Sequence, residues 1–180
     1  GTAGQTASLG LTAGTGTGGG TDFGSATATT NLQYSIDGGT NWLDYSTTGA
    51  FALPAGGSVL VRTPVVNDTT PDNGETFTLT ATNTGGTGAT GTCTIKDDGT
   101  GDIYKGDGTK DTTAPKDDDR ALAVTSPTVN EASPYAVFTV TGNAGQTVSL
   151  ALANGTATGG GTDYGSATPT TNLQYSIDNG

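Results

Sequence analysis

Apolar and polar residues alternate in several short runs along the chain. Residues 76–82 read Thr-Phe-Thr-Leu-Thr-Ala-Thr, so every second side chain is apolar. Successive side chains of a strand point to opposite faces of a sheet, so this period predicts strands with one buried and one exposed face. No stretch shows the 3.6-residue period of an amphipathic helix. The same alternation predicts strands at 136–140, 147–152, 32–36, 59–61, 93–95 and 173–177.

Turn-forming sequences separate these runs. Asp37-Gly38-Gly39, Asn73-Gly74 and Gly85-Gly86 are rich in the residues that tight turns require. Threonine is abundant, methionine and histidine are absent, and only 13% of residues are charged. This composition predicts an all-β protein with many short strands. Disorder is the competing hypothesis for a chain of low hydrophobicity, but the regular alternation of apolar residues favours a folded sheet.

A long segment occurs twice. Residues 21–37 read TDFGSATATTNLQYSID, and residues 162–178 read TDYGSATPTTNLQYSID. The same offset of 141 residues aligns the whole of 1–39 with 142–180. The repeat predicts tandem β-sandwich domains, with the chain cut inside a domain at both ends. We therefore expect a sandwich that lacks its first strands at 1–97, a junction at 98–121, and the first half of the next sandwich at 122–180.

The predicted junction concentrates charge. It and the residues beside it hold eight of the 17 acidic residues and five of the six basic ones, all between Lys96 and Arg120. Two five-residue stretches, 98–102 and 107–111, share the form D-G-T-x-D. Aspartates beside glycine turns supply the carboxylate and carbonyl oxygens that calcium prefers. A flexible solvated linker, whose lysines offset its aspartates, explains the same composition.

Charge and residue content exclude several functions. A net charge of −11 argues against binding to nucleic acid phosphates, and no apolar run is long enough to span a bilayer. Without histidine there is no histidine-based catalytic triad or histidine-ligated metal, so we do not expect an enzyme. The single cysteine, Cys93, has no intrachain disulfide partner, and its alternation with threonines predicts a small buried side chain.

Several motifs resemble a known family. Gly155-Thr156-Ala157, followed by Thr162-Asp163-Tyr164, resembles the "GTA…DY" signature of Calx-β domains. The stretches 65–68, 75–79 and 95–98 resemble the second half of that pattern, and 128–132 resembles its opening strand. The chain is most similar to the immunoglobulin-like extender repeats of giant repeats-in-toxin (RTX) adhesins, including ice-binding ones. The first copy departs from the signature, with Gly14-Thr15-Gly16 and Phe23 in the corresponding positions.

The resemblance implies a structural function. It implies an extender segment of a large secreted adhesin at the bacterial cell surface, rigidified by Ca²⁺ and contacting neighbouring repeats of the same polypeptide. Transferred residue by residue, it implies that the calcium-binding acids are Asp68, Glu75, Asp97, Asp98, Asp102, Asp117, Asp118, Asp119 and Glu131. Because the partner acids of the sites inside each sandwich fall outside this chain, only a junction site is expected to be complete.

Two alternatives remain open from the sequence. A repeat subunit of an extracellular filament or sheath would show the same local features, but neighbouring copies would supply the missing strands. A ligand-binding or ice-binding module is the other alternative, because the outward threonines of residues 76–84 form a polar stripe. A single Thr-rich strand is also what an exposed antiparallel strand normally looks like.

Overall fold

The protein is all-β. The computed structural model describes residues 1–24, 32–45, 49–165 and 173–177, and no helix occurs in these ranges. They therefore contain no helix that is long and apolar enough to cross a membrane. The middle parts of the repeated motif, 25–31 and 166–172, lie outside the described residues, as do 46–48 and 178–180. The strands are β1 (Thr6–Ala13), β2 (Gln33–Ser35), β3 (Leu43–Asp44), β4 (Phe51–Ala52), β5 (Leu60–Arg62), β6 (Thr76–Asn83), β7 (Gly88–Thr94), β8 (Ile103–Tyr104), β9 (Lys110–Asp111), β10 (Ala123–Val124) and β11 (Val140–Thr141).

The chain divides into two compact units, Gly1–Gln146 and Thr147–Gly180. The first unit contains all the strands in the described ranges. They form a four-stranded antiparallel sheet in the order β4-β1-β6-β7, a three-stranded sheet in the order β3-β2-β5, and two hairpin-like pairs, β8-β9 and β10-β11. The alternation in the sequence explains β6, where Phe77 faces inward and is buried.

The core of the first unit lies between the four- and three-stranded sheets. Leu9, Leu32, Tyr45 and Phe51 form its buried centre. Tyr34 stacks on Phe51 with ring centroids 4.5 Å apart, and Tyr45 meets both rings edge-on. The Tyr45 hydroxyl also accepts a hydrogen bond from the Leu9 amide at 2.8 Å and donates one to the Gly49 carbonyl at 2.7 Å. This tyrosine therefore joins the two sheets by packing and by hydrogen bonding.

Strands β5 and β7 each lie at an edge of a sheet. Strand β5 pairs with β2 alone, and β7 pairs with β6 alone. Cys93 lies opposite the buried Phe77 in the β6–β7 register, yet Cys93 is exposed. The prediction that this cysteine is buried is therefore wrong, because no described element covers the inner face of β7.

The predicted junction lies within the first unit and packs on its sandwich. Its β8–β9 pair carries a turn in which the Gly106 carbonyl accepts a hydrogen bond from the Arg62 guanidinium. That guanidinium lies 4.0 Å from the centroid of the Trp42 ring. Gly39 is buried with φ +95°, and a Cβ there would collide with the Asp107 carbonyl. The turn therefore packs closely on the outer face of the three-stranded sheet.

The second unit has no described strand, although its sequence copies β1. Residues 147–152 were predicted to form a strand, but they are irregular, and Leu150 is 47% exposed. A strand needs a neighbour to satisfy its backbone groups. The loop that follows nevertheless matches the first copy. The Thr158 amide donates to Asp163 at 2.7 Å, just as the Thr17 amide donates to Asp22 at 2.6 Å.

Candidate metal centre

A closed loop forms where the first sandwich meets the junction. The Asp97 amide donates to the Asn73 side chain at 3.1 Å, which fixes the chain as it leaves the sheet. The chain returns twenty residues later, where the Gly99 amide donates to the Asp117 carbonyl at 2.8 Å and the Asp119 amide donates to Asp97 Oδ1 at 2.9 Å. We call residues 98–118 the junction loop, and Asp97, Asp117 and Asp119 the loop neck.

Three carboxylates converge at the loop neck. One carboxylate oxygen from each of Asp97, Asp117 and Asp119 lies within 4.8 Å of the other two. Asp97 is only 7% exposed, and its Oδ2 is buried without a hydrogen-bond partner. A buried carboxylate oxygen with no partner is costly unless a proton or a cation satisfies it.

The electrostatics of the loop neck favour a positive ligand. Burial raises the pKa of Asp119 above its ordinary value, and the nearby carboxylates of Asp117, Asp97 and Asp68 raise it further. A raised pKa means that the negative form of the side chain is disfavoured where it lies. A divalent cation would remove that penalty. The donors are hard oxygen atoms, which suit calcium or magnesium and not the softer transition metals.

A second cluster lies within the first sandwich. Asp22, Asp72 and Glu75 each offer a carboxylate oxygen within 4.8 Å of the others. Phe23 stacks on Phe77 at 4.2 Å and bridges to Val65, which fixes the position of Asp22 beside it. Burial raises the pKa of Glu75, with the Asp22 carboxylate as the next largest cause. These contacts make the cluster a second place where a cation would relieve repulsion.

Sequence reasoning identified only one member of this second cluster. Glu75 was predicted, whereas Asp22 and Asp72 were missed. Asp22 recurs as Asp163 in the repeated T-D-[F/Y]-G stretch, and that repetition was the available signal. Asp68 belongs to neither cluster. Its carboxylate caps the Thr70 amide at 2.6 Å, and its charge raises the pKa of both Asp72 and Asp119.

Basic residues of the protein neutralise three other predicted ligands. Asp102 pairs with Lys110 at 2.6 Å, and Asp118 pairs with Arg120 at 2.6 Å. Asp98 lies 3.5 Å from Lys96. The pKa of Asp98 falls to about 2, chiefly because the Thr100 hydroxyl donates to its carboxylate. These three aspartates are paired with basic residues in or beside the junction loop and belong to neither cluster.

The D-G-T-x-D stretches are turns. Asp107 accepts hydrogen bonds from both the amide and the hydroxyl of Thr109, at 2.9 and 2.7 Å. Asp98 does the same with Thr100 two residues on. An aspartate that caps the backbone two residues later is a standard turn stabiliser. Glu131, the remaining predicted ligand, is exposed and belongs to neither cluster of the described residues.

The threonine stripe spans more than one strand. In the β6–β7 register Thr76, Thr78 and Thr80 lie opposite Thr94, Thr92 and Thr90. Threonine pairs across strands stabilise a sheet through their hydroxyl groups. The sequence analysis considered threonines of one strand only, whereas β7 adds a second row of threonines beside those of β6.

In comparisons with family models, curated proteins and solved structures, nothing matched this chain.

Proposed function

We propose that this chain is a structural spacer segment of a large secreted surface adhesin, in which Ca²⁺ closes the loop neck and stiffens the junction between tandem β-sandwich repeats. The partners in this proposal are the neighbouring repeats of the same polypeptide. Three observations support this function: the internal repeat, the resemblance to extender repeats, and the two acidic clusters.

The loop neck is the observation that most directly supports this function. Asp97 ends the first sandwich, whereas Asp117 and Asp119 lie directly before the second repeat begins at 122. A cation bound to all three would join the two ends of the junction loop. The connection between the repeats would then run directly from Asp97 to Asp119. The 21 residues of the junction loop would no longer add to the motion of one repeat relative to the next.

The chemistry of the site suits an extracellular setting. Three carboxylates give a small set of oxygen ligands, and sites of that kind bind calcium with modest affinity. Millimolar calcium outside a cell would fill them, whereas the far lower level in the cytosol would leave them empty. The junction would therefore stiffen only after export.

Small-angle X-ray scattering tests the proposal. A chain of two whole repeats is measured with about 5 mM calcium chloride and again with excess chelator. The first condition places free calcium well above a Kd of about 0.1 mM, and the second places it well below. We expect a longer maximum dimension and a narrower distance distribution with calcium. Superimposable profiles would show that the junction is an ordinary linker and would remove the stiffening proposal.

One alternative function uses the threonine face of β6 and β7 as a binding surface for a flat ligand such as ice. Its support is the register of Thr76–Thr80 with Thr90–Thr94. A Thr78→Lys variant would abolish ligand or ice-surface binding in that case and would leave the calcium response unchanged. The extender function makes the opposite prediction, that this variant has no binding activity to lose.

A further inference from the structure

We propose that Asn73–Gly74 is a self-modification site, which stays unreacted while the loop neck is closed and converts to aspartate or isoaspartate when the neck opens. The reaction needs only water and the chain itself. Asparagine is chemically labile, most of all before glycine, which has no side chain to hinder its own amide nitrogen. This site goes beyond the spacer function, because a one-way covalent change at the junction requires no calcium.

The reaction joins two neighbouring residues in a ring. The Gly74 amide nitrogen attacks Cγ of Asn73 and gives up its proton, which the departing side-chain nitrogen takes up through water. The bond from Cγ to that side-chain nitrogen breaks, and ammonia leaves. Water then opens the cyclic imide at either carbonyl, so a water molecule is consumed for each ammonia released. Opening at the main-chain carbonyl gives isoaspartate, which lengthens the main chain by a carbon atom.

The folded chain restrains the attacking nitrogen. The Gly74 amide donates to the Ile95 carbonyl at 3.0 Å, and the Ile95 amide donates to the Glu75 carbonyl at 2.7 Å. These two bonds continue the β6–β7 pairing past the start of β6 and the end of β7. An amide proton bonded in this way exchanges with water only when the bond opens. The nitrogen therefore keeps its proton while this end of the sheet is closed.

The folded chain also fixes both polar atoms of the side-chain amide. Asn73 Oδ1 accepts a hydrogen bond from the Asp97 amide at 3.1 Å, and Asn73 Nδ2 donates to the Asp98 carboxylate at 3.0 Å. The amide plane cannot turn, and Nδ2 cannot leave as ammonia, until these bonds break. Asn73 is exposed, so water reaches it for the second step. Opening of the chain at Asp97 and Asp98 is therefore the event that releases the reaction.

The product disturbs the contacts that protected the site. A carboxylate at position 73 has no proton to donate to Asp98. The pKa of Asp98 is lowered to about 2, chiefly by the Thr100 hydroxyl, so Asp98 is negative at neutral pH. Two carboxylates would then face each other where a hydrogen bond of 3.0 Å now lies, and they would repel. The neck cannot close again in the same way, so the modification is a lasting record of opening.

A second Asn-Gly pair supplies a comparison within the same chain. Asn154 Oδ1 accepts hydrogen bonds from the Gly159 amide at 3.0 Å and the Tyr164 hydroxyl at 2.5 Å. The Gly155 amide, in contrast, has no hydrogen-bond partner in the part of the chain that the structure describes. The two pairs share their chemistry and differ in whether the attacking nitrogen is bonded. Asn154 should therefore react in the folded chain under conditions that leave Asn73 unchanged.

Peptide mass spectrometry during storage in chelator at mildly alkaline pH tests the proposal. Fragmentation of the peptides locates each asparagine whose amide has become a carboxylate. In the folded chain we expect Asn73 to react at least about tenfold more slowly than Asn154, because Asn73 needs a local opening first. In concentrated urea the two rates should come close together. Similar rates in the folded chain, or an Asn73 that stays slow in urea, would overturn the proposal.

A matched pair of variants tests whether the neck protects the site. Asp98→Ala removes the acceptor of the Asn73 amide, whereas Asp107→Ala removes the aspartate of the other D-G-T turn, which does not contact Asn73. With the sandwich intact by circular dichroism, Asp98→Ala should speed the reaction at Asn73 and Asp107→Ala should not. Equal rates in the two variants would show that the neck gives no protection.

Asn73→Asp copies one product of the reaction and tests its lasting effect. We expect faster hydrogen exchange at the Asp97 amide in this variant than in the natural chain, because the repulsion from Asp98 loosens the contact. An unchanged exchange rate would rule out the lasting effect. Every measurement is made in chelator, so a failed calcium response would leave these results unchanged and the two proposals fail separately.

Discussion

At the residue scale, the loop neck depends on one buried carboxylate. We predict that Asp97→Asn abolishes the calcium-induced rise in Tm, because the amide lacks the charge that a divalent ion requires. The natural chain should gain about 2.7 kcal/mol when calcium is present at 100 times its Kd. In chelator the variant should be no less stable than the natural chain, since it replaces a carboxylate whose Oδ2 is buried without a hydrogen-bond partner.

A matched variant separates this effect from general loss of charge. Asp102→Asn removes a carboxylate that is paired with Lys110 in the same junction loop. Calorimetric titration with calcium should give the natural affinity for Asp102→Asn and no binding at the loop neck for Asp97→Asn. Equal losses in the two variants would show that the junction attracts calcium only through its overall charge.

Asp37 provides a test of acid sensitivity away from both clusters. Its pKa is lowered to about 2, chiefly because the Asn41 amide and side chain donate to the carboxylate, aided by the Ser35 hydroxyl. A lowered pKa stabilises the fold above the ordinary value of 3.8, and this stability is lost as the pH falls towards 2. Asp37→Asn should therefore be less stable than the natural chain at pH 7, with the difference vanishing near pH 2.

Carboxyl NMR titration checks the cause of that pH dependence. Asn41→Ala removes the side-chain donor to Asp37 and keeps the backbone amide, so it should move the titration midpoint of Asp37 part of the way upwards, towards 3.8. An unchanged midpoint would show that other groups set the acidity of Asp37.

The buried hydroxyl of Tyr45 forms two hydrogen bonds in the core of the sandwich. We predict that Tyr45→Phe costs about 1–3 kcal/mol in the free energy of unfolding, because the buried Leu9 amide and Gly49 carbonyl lose their partner. Urea unfolding measures the cost. Tyr104→Phe, at a 59% exposed position, should change stability far less, and a similar loss in both would contradict the assignment.

At the scale of elements, the β8–β9 turn packs on the sheet through Gly39. We predict that Gly39→Ala detaches the turn, because the new Cβ collides with the Asp107 carbonyl. Gly38→Ala is the control. It has φ +73° but no atom near its added Cβ, so it carries the backbone strain without the collision.

Proteolysis measures this detachment. Trypsin should cut at Lys105 or Lys110 faster in Gly39→Ala than in Gly38→Ala, while both chains keep a folded sandwich by circular dichroism. Equal cutting rates would mean that the close contact at Gly39 does not hold the turn in place.

Alternation predicted β2, β5, β6 and the end of β7, which all have neighbouring strands, but it did not predict the two-residue strands β8, β9 and β10. Alternation predicted β6, and the structure confirms it; the same alternation at 147–152 gave no strand, although β1 has nearly the same sequence. Local pattern sets which face of a strand is apolar, but pairing decides whether the strand forms. The candidate ligands show the same dependence on the fold, because the family resemblance implied Asp97 and Asp119, whereas only the folded chain brings Asp22 to Glu75.

At the scale of the whole molecule, residues 147–154 should form a strand when their partner strands are supplied. We predict that a chain extended after Gly180 by another copy of residues 40–97 forms a strand at 147–154. Val148, Leu150 and Leu152 would then be buried, as Leu9 is in the first unit. Hydrogen exchange should slow at these amides by a large factor relative to the present chain. Unchanged exchange would contradict the tandem-repeat interpretation.

The closed loop at the junction has a mechanical consequence for a chain under tension. Pulling on the two repeats loads the contacts between Asp97 and Asp119 before it loads any residue of the junction loop. If these contacts break first, the 21 residues of the loop extend by about 70 Å while the aromatic core stays intact. Stretching of single molecules should show this as a small early lengthening that reverses on relaxation and shifts to higher force in calcium. Such a segment would absorb a sudden pull and recover afterwards, without unfolding a sandwich.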